Sequence, residues 1–238
     1  MSATAPATIT LAGCRLGAQR ALPLLPGVMV FGMAFGAAAA AKGLTLDQAV
    51  LMSAFVFAGA SQMVALEVWR EAWSLPTVLG VAAITATVNA RMILMGAALA
   101  SAMRGVPKPV NALNLFLFTD ASWLVGTRYQ AEGGRDIGVM LGTGITLWFA
   151  WTAVTLPGYL VAALVPEPRR FGLDLLMPVF FVAMLVPIWK GPRRALPWLV
   201  AGLAALAAQA ALPGYAYIVV GALSGAFAAG MMSDDEPR

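Results

Sequence analysis

The segment FAGASQM, residues 57–63, lies inside a long apolar run and places glycine, serine and glutamine where lipid-facing leucines would be expected. If residues 48–69 cross a membrane, a rise of about 1.5 Å per residue puts this segment near mid-depth. Gly59 has no side chain to resist unwinding, and the Gln62 amide carries hydrogen-bonding groups that lipid cannot satisfy. The segment predicts either a discontinuous helix with a binding site or a small-residue patch in which Gln62 bonds a neighbouring span.

The composition around this segment is that of a membrane protein. Of 238 residues, 61% are hydrophobic and 11% are charged, whereas soluble domains are typically about 25% charged. Apolar runs of about 20 residues, enough to cross a hydrocarbon core of about 30 Å, recur along the whole chain. We therefore expect one integral membrane domain over residues 21–231, a cytoplasmic segment at 1–20 and a polar tail at 232–238.

Charge and residue content exclude several other kinds of protein. The net charge is +4, but lysines and arginines are scattered singly or in pairs between apolar runs, so no nucleic-acid-binding patch is predicted. The chain has one cysteine and no histidine, which excludes an intramolecular disulfide, imidazole metal sites and Ser-His or Cys-His nucleophile pairs. We expect no enzyme, no metal and no cofactor.

Hydropathy divides the chain into candidate spans separated by connectors rich in glycine, proline and charge. The spans are residues 22–41, 48–69, 75–100, 110–127, 137–165, 173–189, 195–211 and 214–231. Placing both termini in the cytoplasm puts more lysine and arginine on that side, as the positive-inside rule requires. The predicted fold class is an all-α polytopic membrane protein with about eight (seven to eight) transmembrane helices, some discontinuous or re-entrant.

Glycine spacing predicts where these helices approach one another. Three Gly-x-x-x-Gly pairs lie inside spans, namely Gly32 with Gly36, Gly138 with Gly142, and Gly221 with Gly225. A spacing of four puts both glycines on one helix face, where a neighbouring backbone can come close. With 24 glycines in the chain such pairs also arise by chance, but we favour packing.

Polar residues in the third span form a second candidate site. Asn89 and Arg91 lie well inside the span that begins near residue 75. On a regular helix they point about 200° apart, so one site cannot receive both unless the helix is distorted or two cavities exist. Arg91 could instead extend toward the membrane surface, as long basic side chains do.

Two aspartates are the candidate acidic groups. Asp120 lies within the span VNALNLFLFTDASWLVGT, where an unpaired carboxylate is expected to take up a proton. It is therefore either a partner for Arg91 or a proton-carrying group, unless the helix begins at Asp120 and the residue merely marks a helix start. Asp174 precedes LLMPVFFVAMLVP and is expected to cap the sixth span.

Several of these segments together resemble the AzlC family of bacterial inner-membrane proteins, the large subunits of branched-chain amino-acid exporters. They are PGVMVFGMAFGAAAAAKGLTLDQAVLMSAFVFAGASQ, NARMILMG, TDAS and GLDLLMPVFFVAMLVP, in this order. The resemblance implies substrate-binding roles for Gly59, Ser61, Gln62, Asn89 and Arg91, and coupling roles for Asp120 and Asp174. Where the family commonly has a histidine and a tyrosine, this chain has Met92 and Met95, so we expect a larger or more apolar substrate.

The resemblance also implies a function and partners. We expect a secondary exporter of branched-chain or other small apolar amino acids, driven by the proton motive force and acting with a small AzlD-like membrane subunit. Its location would be the bacterial inner membrane, surrounded by lipid. The alternative is a membrane scaffold or regulatory subunit that transports nothing, whose polar residues would all be satisfied packing contacts.

Overall fold

A computed structural model describes residues 8–69, 74–100, 102–164, 182, 186, 189, 191–212 and 216–232. The α-helices in these ranges are α1 (Leu11–Ala21), α2 (Leu25–Ala41), α3 (Leu46–Val56), α4 (Gly59–Glu67), α5 (Leu75–Leu99), α6 (Lys108–Phe116), α7 (Asp120–Ala131), α8 (Gly138–Ala163), α9 (Leu196–Ala211) and α10 (Ala216–Met232). No β-strand occurs in the part of the chain that the structure describes. The all-α class is confirmed for those residues.

By length and composition, three helical segments can cross a membrane. They are Leu11–Ala41, Val78–Leu99 and Gly138–Ala163, and shorter apolar helices occupy Leu46–Val56, Leu196–Ala211 and Ala216–Met232. A membrane protein is thereby supported. The number of spans stays a prediction.

The first span begins earlier than predicted. Instead of starting at residue 22, the helical path starts with α1 and passes through a 3₁₀ turn at Leu22–Leu24 into α2. The Thr10 side chain caps α1 by accepting the backbone N–H of Gly13 at 2.9 Å. Pro23 lies in the 3₁₀ turn, where its missing N–H breaks the helical ladder. The cytoplasmic location of residues 1–20 stays a prediction.

The chain forms two compact units. The first contains Met1–Leu66 and Asn89–Leu176, and the second contains Glu67–Val88 and Met177–Arg238. In the first unit, α1, α2, α3 and α7 pack on α8. In the second, α9 packs on α10. A single domain over residues 21–231 stays a prediction.

Close backbone contact between α1 and α8 depends on glycine. A Cβ atom on Gly17 would lie 2.0 Å from the carbonyl oxygen of Val139, and one on Gly142 would lie 2.0 Å from that of Cys14. On Gly138 it would lie 2.7 Å from the carbonyl oxygen of Thr10. The backbones therefore touch along this face, because no side chain separates them.

The same arrangement joins α2 to α8. A Cβ atom on Gly36 would lie 2.2 Å from the carbonyl oxygen of Thr155, and one on Gly158 would lie 2.2 Å from that of Met33. In the second unit, a Cβ atom on Gly221 would lie 2.9 Å from the carbonyl oxygen of Ala201. The prediction that the Gly-x-x-x-Gly pairs serve packing is confirmed.

Asp136 holds the start of α1 against the start of α8. Its carboxylate accepts the backbone N–H of Thr10 at 3.1 Å and that of Gly138 at 2.8 Å. The Thr10 hydroxyl also donates to it. Further along, Arg20 pairs with Glu132 at 2.7 Å. These contacts join the segment between α7 and α8 to both ends of α1.

Candidate functional site

The run that contains FAGASQM is a broken helix. α3 ends at Val56, Phe57 adopts φ +28° and ψ +49°, and α4 begins at Gly59. The first helical hydrogen bond of α4 runs from the Gln62 N–H to the Ala58 carbonyl at 2.9 Å. A non-glycine residue at positive φ is strained and persists only where its surroundings hold it. The predicted discontinuity is confirmed, and it lies at residues 57–58, one residue before the glycine.

Side chains of α8 hold α3 up to the break. The hydroxyls of Ser53 and Thr155 hydrogen-bond at 2.7 Å, and both side chains are fully buried. The indole N–H of Trp148 donates to the Ala54 carbonyl at 2.8 Å. That carbonyl is in the last turn of α3, where carbonyls have no partner within the helix. One of the last carbonyls of α3 is thus satisfied by α8.

The start of α4 is covered by a second tryptophan of α8. A Cβ atom on Gly59 would lie 2.8 Å from Cη2 of Trp151, so only glycine lets the indole ring lie this close. Trp151 is 7% exposed and stacks on Phe35 with ring centroids 6.3 Å apart. Its Nε1 is buried and has no hydrogen-bond partner among the described residues.

Sequence reasoning missed both tryptophans. A usable signal exists, because Trp148 and Trp151 lie in the middle of an apolar run and not at its ends, where aromatic belts place tryptophan. An indole N–H at membrane depth needs a partner. The pair could therefore have been singled out as polar groups inside the membrane.

Ser61 lies in the first turn of α4 and joins this helix to α5. Its hydroxyl donates to Oδ1 of Asn89 at 2.7 Å, and Ser61 is 1% exposed. Two of the predicted substrate-binding residues are therefore brought together.

Gln62 is fully buried, and its amide is unused. The residue is 0% exposed, and neither Oε1 nor Nε2 has a hydrogen-bond partner among the described residues. Burying an amide without partners costs about 1–3 kcal/mol on the scale of protein mutational data. The alternative in which Gln62 bonds a neighbouring span finds no such bond in the part of the chain that is described.

A second break lies in the predicted span 110–127. α6 ends at Phe116 and α7 begins at Asp120, so the predicted span contains two helices, and the alternative in which a helix begins at Asp120 is the one observed. Thr119 and Ser122 form a capping box, in which the Thr119 N–H donates to the Ser122 hydroxyl at 2.8 Å and the Ser122 N–H donates back at 3.2 Å. This reciprocal cap satisfies the N–H groups of Thr119 and Ser122 and fixes the start of α7.

Asp120 is the first residue of α7 and pairs with Arg91. The guanidinium donates to Oδ2 of the carboxylate at 2.8 Å, and the two side chains are 41% and 51% exposed. Asp120 is therefore both a helix-start residue, where a negative charge is favourable, and the predicted partner of Arg91. Because Asn89 contacts Ser61 while Arg91 contacts Asp120, the expected separation of these two neighbours is confirmed.

The remaining predicted residues fall elsewhere. Met92 and Met95 pack against an apolar cluster formed by Leu99, Met103, Phe118 and Met140. Their expected effect on substrate size stays a prediction. Asp174 lies outside the described residues.

The start of α4 can bind an anion. The N–H groups of Gly59, Ala60 and Ser61 have no partner within the helix, and the helix dipole places partial positive charge there. α7 differs because its own Asp120 and the Thr119 cap already occupy its first turn. Among the described residues, no group of three histidines, cysteines, aspartates or glutamates could hold a metal ion.

Comparison with known proteins gives one family. A family model described as AzlC protein matches residues 23–165. The matched range includes both helix breaks, α8 and the Arg91–Asp120 pair. Neither the curated proteins nor the solved structures contain a match to the chain.

Proposed function

The chain belongs to the AzlC family, and from this premise we propose that it is a secondary transporter that exports branched-chain or other small apolar amino acids. The proton motive force drives the export. The protein lies in the bacterial inner membrane with both termini in the cytoplasm, and it acts with a small AzlD-like membrane subunit. The family and the apolar helices support membrane transport, and the site geometry supports the finer proposal.

The observation that carries the proposal is the unused amide of Gln62 beside the start of α4. An amino acid brings a carboxylate, which needs donors, and an ammonium, which needs acceptors. The free N–H groups of α4 and Nε2 of Gln62 supply donors, and Oε1 of Gln62 supplies an acceptor. Bound substrate thereby removes the cost of the buried amide, which favours a binding site at this position.

Gly59, Ser61 and Asn89 complete the proposed substrate site. Gly59 starts α4 and leaves room for the Trp151 ring. Ser61 and Asn89 fix α4 against α5 at 2.7 Å, so the donors of α4 keep their positions when substrate leaves.

Arg91 and Asp120 form the proposed coupling pair. Protonation of the Asp120 carboxylate removes its charge, which weakens the contact at 2.8 Å and frees Arg91. Arg91 also has a buried Nε without a partner among the described residues. The geometry favours Arg91 as the partner of Asp120 over a direct contact with substrate. Asp174 is a second proposed coupling residue.

Transport by purified protein tests the function. The chain is reconstituted into liposomes with and without a small AzlD-like membrane subunit, and uptake of radiolabelled leucine, isoleucine and valine is measured under an imposed pH gradient. We expect gradient-dependent flux of at least one of the three. Flux equal to that of empty liposomes in every condition contradicts the proposal and favours the scaffold alternative.

Replacing Gln62 by leucine separates the transporter from the scaffold. We expect Gln62→Leu to raise the stability of the ligand-free protein by about 1–3 kcal/mol, because the unpartnered amide disappears. The same change removes the stabilisation that free leucine gives to the unaltered protein. Thermal unfolding in detergent with increasing free leucine measures both effects.

Gln48→Leu is the matched control for this experiment. Oε1 of Gln48 accepts the Thr45 N–H at 3.0 Å in the capping box of α3. Loss of this hydrogen bond is expected to destabilise the protein by about 1 kcal/mol and to leave leucine binding intact. If Gln62→Leu behaved like Gln48→Leu, Gln62 would be a packing residue.

A further inference from the structure

Two tryptophans one turn apart on α8 lie against the broken helix, and only one of them donates a hydrogen bond to it. Trp148 donates its indole N–H to the Ala54 carbonyl at the end of α3. Trp151 lies against the start of α4, yet its indole N–H has no partner among the described residues although the residue is only 7% exposed. Indole N–H groups usually find a partner when they are buried. Of these two indole N–H groups, the one without a partner is therefore on the side of the break where α4 begins.

The six-membered ring of Trp151 lies against the start of α4. The ring atoms nearest the Cβ position of Gly59 are Cη2 at 2.8 Å, Cζ2 at 3.3 Å and Cζ3 at 3.5 Å. The side chain that carries the unpartnered N–H therefore borders the helix start, whose first N–H groups have no partner within the helix.

Three sets of donors thus belong to the start of α4 and to the side chain that covers it. They are the first N–H groups of α4, the buried amide of Gln62 and the buried indole N–H of Trp151. A helix start alone is common, as α7 shows, but α7 carries its own carboxylate and cap. The start of α4 has N–H groups without a partner within the helix, together with the buried donors of Gln62 and Trp151 that have no partner among the described residues.

We propose that Trp151 is a ligand-binding residue that makes this site selective for a carboxylate: its indole N–H donates to the ligand carboxylate, and its ring covers the start of α4. The inference rests on the proposed function and deepens it. The helix start and the side-chain donors favour a negative charge, so uncharged amides, esters and alcohols of the same carbon skeleton bind more weakly than the carboxylate. Phe35, stacked on the ring, holds the indole in place.

Trp151→Phe tests the proposal, with Trp148→Phe as the matched control. Both changes keep a ring and remove an indole N–H from the same helix. The ligands are leucine, 4-methylpentanoate, which lacks the ammonium, and leucinamide, which lacks the carboxylate. Their dissociation constants are obtained from thermal unfolding of the purified protein against ligand concentration.

The two variants should differ in selectivity. We expect Trp151→Phe to weaken the binding of leucine and of 4-methylpentanoate about tenfold or more, which is the effect of losing a hydrogen bond to a charged group. The affinity for leucinamide should change less than about threefold. Trp148→Phe should lower thermal stability, because the Ala54 carbonyl loses its donor, but should preserve the ratio of leucine to leucinamide affinity.

The outcomes separate the inference from the proposed function. Unchanged carboxylate affinity in Trp151→Phe, or the same loss for all three ligands in both variants, overturns the inference while leucine transport stands. Binding of 4-methylpentanoate that depends on Trp151, together with absent amino-acid flux, overturns the transport proposal and supports the carboxylate site. No binding of any of the three ligands to the unaltered protein overturns both.

Discussion

Replacing Asp120 by asparagine is expected to reduce leucine transport driven by a pH gradient strongly while leaving leucine exchange in place. Asparagine keeps the shape and the helix-start position of Asp120 but cannot carry a proton, so gradient-driven flux should fall about tenfold or more. Exchange across the membrane with equal pH on both sides needs no net proton movement and should persist. Proteoliposomes loaded with unlabelled leucine, with and without a pH gradient, measure the two rates.

Two controls distinguish coupling from folding. Glu132→Gln breaks the other described ion pair of this region, that of Arg20 at 2.7 Å, and should leave both rates unchanged because exposed pairs contribute about 0–1 kcal/mol. Arg91→Gln combined with Asp120→Asn removes both charges at once. If Asp120 served only to neutralise Arg91, this double variant would regain gradient-driven flux, and the coupling role would be refuted.

Replacing Gly142 by leucine is expected to prevent folding of the first unit. The Cβ atom alone would lie 2.0 Å from the backbone carbonyl oxygen of Cys14, so α1 and α8 must separate before any larger side chain fits. Overpacking a core lowers the free energy of unfolding by about 1–3 kcal/mol when side chains can shift. Because the obstacle here is backbone, we expect a larger loss of stability than that. The yield of monodisperse protein after size-exclusion chromatography measures the effect.

Gly96→Leu is the control for this substitution. Gly96 lies in α5, and a Cβ atom there would meet nothing within 4 Å. Leucine also has a higher helix propensity than glycine, by roughly 0.5–1 kcal/mol. The yield of Gly96→Leu should therefore equal or exceed that of the unaltered protein. Comparable yields for both variants would show that the α1–α8 contact tolerates separation.

The breaks in two helices show what the local sequence can predict. FAGASQM predicted a discontinuity because glycine and polar groups at mid-depth are poor helix interior, and the break lies beside it. The second break entered only as the alternative in which a helix begins at Asp120, since VNALNLFLFTDASWLVGT reads as one apolar run. Its cause is the Thr119–Ser122 capping box, a local signal that hydropathy alone does not weigh.

Some of the site residues could likewise be predicted from the sequence, and others could not. The pairing of Asp120 with Arg91 was one of the alternatives that the sequence predicted, because an aspartate inside an apolar run needs a partner or a proton. Trp151 was missed because tryptophan counts as apolar, and its unpartnered N–H becomes visible only when α8 lies beside α4.

By itself the sequence determined a helical membrane protein of the AzlC family, the glycine faces that pack, and the place where one helix breaks. These properties follow from composition and from spacing within one helix turn, which are local. Only the tertiary structure decided that Ser61 meets Asn89, that Gln62 is left without a partner, and that Trp151 covers Gly59. Such contacts join distant parts of the chain, as the 94 positions between Trp148 and Ala54 show, and which helix faces meet depends on the packing of all helices together.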